Sequence, residues 1–146
     1  MVSHTKCHMK HLLQVLALLL IFSCNDSGIE PAASKVVPGE EFSLQYGQAA
    51  LVQGTNLTIK FADVGSDSRC PADVICIWAG NADVRLEISG LEAPVSVVVN
   101  TTVDPSAIVV AGYEIMLKQL DPYPVSTQQI QKKDYIATLQ IAAPVL

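Results

Sequence analysis

Histidine is missing from all but the start of this 146-residue chain, where His4, His8 and His11 are the only three. Basic residues are scarce, nine against fourteen acidic ones, and no basic run exceeds Lys132-Lys133. That balance repels a phosphate backbone and argues against nucleic-acid binding. The eight glycines are isolated, so no phosphate-cradling Gly-rich loop is present. Long apolar runs are absent too. The longest, Leu12 to Phe22, is interrupted only by Gln14 and covers eleven residues, whereas a helix crossing a bilayer core needs about 20. Aromatic residues make up only 5% of the chain, with Trp78 the sole tryptophan.

What is present begins with that apolar run. Lys6 and Lys10 precede it, and Ser23-Cys24 closes it before the polar Asn25-Asp26-Ser27-Gly28. This order is that of an export signal, and Ile21-Phe22-Ser23-Cys24 resembles the lipobox of bacterial lipoproteins, with Cys24 acylated as the mature N-terminus. Phe22 departs from the small or β-branched residues usual at that place. Met9-Lys10-His11 offers a second possible start. The expected organisation is a signal peptide over 1–23, the lipidated Cys24 and a flexible tether over 24–38, and one domain over 39–146. The expected location is the bacterial cell envelope, anchored through lipid, with the outer membrane favoured.

Removing 1–23 leaves seven basic and fourteen acidic side chains, a formal charge of about −7. Of four cysteines, Cys7 leaves with the signal and Cys24 takes lipid. Cys70 and Cys76 remain, a pair expected to form a disulfide outside the cytoplasm. With neither histidine nor free thiol in the mature domain, Ser-His and Cys-His nucleophile systems are excluded. Two cysteines without histidine do not complete a zinc site, and the spacing of Asp63, Asp67 and Asp73 is not that of a calcium loop. No metal or cofactor is expected.

From Gly39 onward the apolar residues alternate with polar ones. Phe42, Leu44 and Tyr46; Leu57, Ile59 and Phe61; Ala82, Val84, Leu86 and Ile88; Val95, Val97 and Val99; Tyr113, Ile115 and Leu117; and Ala137, Leu139 and Ile141 each line one face of a strand. Ala49 to Val52 and Ala107 to Val110 are short apolar strands. Turn residues separate these segments, and no stretch keeps helical spacing for three turns; Ser126 to Lys133 has room for one or two turns at most. Seven or eight strands, each dry on one face, predict an all-β fold, an antiparallel β-sandwich of immunoglobulin-like or flattened-barrel form.

One segment differs from the rest. Asp63 to Ala82 gathers the cysteine pair, Trp78, Arg69 and the acids Asp67 and Asp73. If Cys76 opens the following strand, Trp78 shares its face, and the indole is expected to cap the core against the sulfurs; an exposed ligand platform is the alternative. Arg69, beside Asp67 and within reach of Asp63, Asp73 or Asp83, is expected to pin the loop by bidentate pairing. The loop from Asp67 to Cys76, with Trp78, is thus either a binding loop or an architectural staple.

The run DSRCPADVICIWAGNA, with Gly112 to Leu117, Leu120-Asp121-Pro122-Tyr123-Pro124 and Tyr135 to Leu139, resembles a group of small exported bacterial proteins, many of them lipoproteins of Bacteroidota-like bacteria. The likeness covers about Phe42 to Ile141. It implies fold and location and brings no activity with it. The expected function is a membrane-tethered, non-enzymatic β-domain with a binding or structural role and a protein, peptide or glycan partner. The alternative is a protease inhibitor or regulator presenting the loop over 67–76.

Overall fold

The computed structural model describes residues 33–142; Cys24 and the signal lie outside them. Among the described residues, nine strands form two sheets. The strands are β1 (Ser34–Val36), β2 (Glu41–Gln45), β3 (Ala49–Val52), β4 (Thr58–Asp67), β5 (Ala82–Ser89), β6 (Val95–Asn100), β7 (Ala107–Val110), β8 (Tyr113–Asp121) and β9 (Ile136–Ala142). One sheet has the order β1-β3-β4-β5-β6 and the other β2-β9-β8-β7. Every pairing is antiparallel except β1 with β3. The fold is an all-β sandwich whose two sheets do not close into a barrel.

The period-two pattern has its expected cause. Ala82, Val84, Leu86 and Ile88 of β5 are fully buried, as are Ala137, Leu139 and Ile141 of β9. They meet Leu44, Ile59, Phe61, Val99 and Ile115 in one core between the sheets. At about 1.5–3 kcal/mol for each large side chain buried, this interleaving is the main source of stability.

The structure departs from the expected organisation at the tether and in the strand count. Residues 34–36, expected in the tether, form β1, because Ser34 to Val36 find a parallel partner in Ala50 to Val52. Strand β4 runs on to Asp67, past the point where the alternation stops. The reason is a bulge: Phe61 pairs with Leu86 and Asp63 with Arg85, leaving Ala62 as an extra residue. With β1 added, nine strands among the described residues replace seven or eight. The turn allowed between Ser126 and Lys133 is a single 3-10 turn at Lys132–Asp134.

The sandwich has two ends. The connections over 37–40, 53–57, 90–94 and 111–112 lie at one, and those over 46–48, 68–81, 101–106 and 122–135 lie at the other. The Cys70–Cys76 segment belongs to the second end.

Candidate binding loop

Where β4 ends, the chain is held in a narrow neck. The Ser68 N–H donates to the Asn81 carbonyl at 2.7 Å, and the Cys70 N–H donates to that of Ala79 at 2.8 Å. The two sides approach so closely that only glycine fits at position 80. Gly80 has φ +70°, and a Cβ there would fall 1.8 Å from the Ser68 carbonyl oxygen. Beyond the neck the disulfide joins Cys70 to Cys76, with Cα atoms 5.9 Å apart.

Arg69 anchors the neck to the body of the domain. It is 7% exposed and makes the expected bidentate pair with Asp67, Nε to Oδ1 at 2.9 Å and Nη2 to Oδ2 at 2.7 Å. Its remaining donors reach the carbonyls of Leu120 and Pro122, and Tyr123 lies against the guanidinium, 5.2 Å from Cζ to ring centroid. The Tyr135 hydroxyl donates to Asp67 Oδ2 at 2.9 Å. Burial works against the Asp67 charge, but hydrogen bonds from the Arg69 side chain, the Arg69 N–H and Tyr135 outweigh it, and the pKa lies below the ordinary carboxylate value. The same burial, together with the Asp67 acceptor, pushes the Tyr135 phenol up to about 12.

The other acids are divided among separate partners. Asp63 accepts from the Lys132 ammonium at 2.6 Å. Asp73 accepts from the Ser126 N–H at 2.8 Å and from its hydroxyl, which ties the loop to the β8–β9 connection, as does the Ala72 N–H to the Pro124 carbonyl at 2.9 Å. Asp83 accepts from Ser66 and Asn81. Among the described residues, no group of three or more His, Cys, Asp or Glu side chains is placed to hold a metal.

Two polar residues of the neck were not singled out from the sequence. Asn81 donates to Asp83 and to Asn100, and accepts from the Thr102 N–H at 3.1 Å. Asn100 is itself buried. Together they tie the neck to the β6–β7 connection, and only the asparagine in the Trp-Ala-Gly-Asn run hinted at it.

The expectation for Trp78 is overturned. Strand β5 starts at Ala82 rather than at Cys76, so no pleat turns the indole toward the core, and Trp78 is 82% exposed. Its neighbours share this state. Ile75 and Ile77 are 103% and 93% exposed and Val74 is 45%, within eight consecutive exposed residues, Ala72–Ala79. The structure brings Asp67 and Arg69 together, places Asp73 apart as the tie to Ser126, and sends Trp78 into solvent. Arg69 and Asp67 are the staple, and the free surface is the apolar strip that they hold up.

Comparison of the chain with protein-family models, with curated proteins and with solved structures finds no match in any of the three.

Proposed function

We propose that this chain is a non-enzymatic, exported β-domain, held to the bacterial envelope by lipid on Cys24, whose contact element is the loop Ala72–Ala79. The observation that carries this reading is the exposure of Val74, Ile75, Ile77 and Trp78 on a loop with fixed ends. Scattered exposed apolar residues are ordinary, but contiguous ones mark interaction sites. A loop already fixed by a disulfide, a buried ion pair and the Asp73–Ser126 tie loses little entropy on binding. Ile75 and Ile77, which precede Trp78, favour an apolar partner over a glycan, which needs hydroxyl-binding polar groups around the ring.

The chemistry elsewhere supports a binding role over a catalytic one. A surface depression of about 420 Å³ is bordered by Asp67, Lys132 and Tyr135. All three are committed to one another or to Arg69 and Asp63, so their polar atoms are engaged in holding the fold.

A second reading, a protease regulator, is favoured by one feature. Ile75 to Trp78 donate no hydrogen bond to another backbone group among the described residues, which leaves their N–H groups open to pairing with a cleft. A photo-crosslinking residue at Ile75, compared with one at Val109 of β7, which is also solvent-exposed, separates these outcomes. The expected result is a product formed from position 75 in the intact envelope, absent from position 109 and lost in Trp78→Ser. Equal labelling from both positions would overturn the proposal. A protease in the product, with activity that rises in Trp78→Ser, would establish the second reading.

A further inference from the structure

Resting on the lipid-anchored reading, we infer that the surface contacted by Val74, Ile75, Ile77 and Trp78 is the bilayer that carries the anchor, the loop entering its interfacial layer.

Ser34 pairs with Ala50, and Ala50 with Ile59. Strand β1 is parallel to β3, and β3 is antiparallel to β4. Followed backward from Ser34, β1 therefore points along β4 toward Asp67, the end of the sandwich that bears the loop. Residues 25–33 separate Cys24 from β1 and span at most about 30 Å. The path along β4 from Ile59, level with Ser34, to Asp67 is about 26 Å. A lead that points this way and matches this path in length lets the anchor reach the level of the loop end.

The loop has the composition that such a layer accepts. An indole prefers the boundary between headgroups and acyl chains, and isoleucine and valine favour the layer beneath it. Asp73 is the only charged residue from Ala72 to Ala79, and its carboxylate is turned back onto Ser126. No basic residue occurs in the loop, so attraction to anionic lipid is not required and a zwitterionic surface suffices. Lipid and loop together make two attachment points, which fix the orientation of the domain where a lipid alone leaves it free to rotate.

Trp78 is the only tryptophan, so its fluorescence reports on the loop alone. The acylated full chain, its acyl mass verified, is reconstituted into phosphatidylcholine vesicles with and without bromine on the acyl chains. The expected result is blue-shifted emission and roughly a twofold loss of intensity with brominated lipid. Ile75→Asp with Ile77→Asp should abolish both while leaving the thermal midpoint unchanged, since both side chains are solvent-exposed. Emission that stays red and unquenched by brominated lipid overturns the bilayer inference. If position 75 still crosslinks to an envelope protein, the binding-loop proposal survives that result; if it crosslinks to nothing, both fall. A processed chain without the acyl mass overturns the anchor and this inference with it.

Discussion

Arg69 shows how one side chain at the base of a loop sets the geometry of the whole. Its guanidinium is desolvated, and its donors are taken by a carboxylate and two carbonyls from a segment about fifty residues away. Such a group is tolerated inside a protein because each of its three nitrogens has an acceptor, and loss of one partner leaves the other charge stranded. Arg69→Ala is therefore expected to lower stability by about 3–5 kcal/mol, measured by urea denaturation. Arg69→Lys should recover only part of it, because a point charge does not reproduce the fork. A loss below about 0.5 kcal/mol, typical of a surface site, would show that Arg69 is not the staple. Some of this was readable: the Asp67–Arg69 spacing pointed to the pair. Leu120, Pro122 and Tyr135 were not, because nothing local marks a carbonyl or phenol far along the chain as the partner of a given arginine.

At the scale of elements, the strands were legible wherever one face is wet and the register unbroken, as in β5 and β9. Legibility failed where a bulge resets the register, which hid the second half of β4, and where three residues of β1 are too few to show a period. It failed again over 75–78, where Ile75 and Ile77 alternate with Cys76 and Trp78 as they would on a strand. Yet among the described residues no strand pairs with them, and burial does not follow from alternation alone. The loop keeps its shape through ties at separate places: the neck bonds around Gly80, the disulfide, and Asp73 on Ser126. Replacing Cys70 and Cys76 together by serine should cost about 2 kcal/mol, the entropy of a short closed loop. Because the neck and the Asp73 tie remain, the β-sheet circular dichroism should be unchanged, with faster hydrogen exchange confined to the segment near Ala72. Global loss of the β spectrum at room temperature would mean that the disulfide holds the sandwich itself.

At the scale of the molecule, the paired ionisable groups predict how stability depends on pH. Asp63, Asp67 and Asp73 all have pKa values below the ordinary 3.8. Lys132 is the leading cause at Asp63 and Ser126 at Asp73, and at Asp67 the hydrogen bonds overcome the burial. An unfolded chain takes up protons at these groups before the folded one does, so their stabilisation is complete above the ordinary carboxylate range and is lost as pH falls through the lower folded values. Tyr135 gives the opposite limb. Its pKa rises from 10 in the unfolded chain to about 12 in the fold, so its contribution is complete below pH 10 and drains away as pH climbs from there toward 12. Between these limbs the thermal midpoint should be nearly flat. Tyr135→Phe separates the phenol from the other alkaline effects. It should lower stability at neutral pH by about 1.5–3 kcal/mol, the worth of a hydrogen bond to a charged acceptor, and should flatten the decline between pH 10 and 12, leaving only a residual slope from Lys132, whose pKa is raised by its bond to Asp63. Thermal midpoints of both proteins across the alkaline range decide it. Parallel curves would mean that the Tyr135 hydroxyl does not share its proton with Asp67, and the clamp beneath the loop would then rest on Arg69 alone.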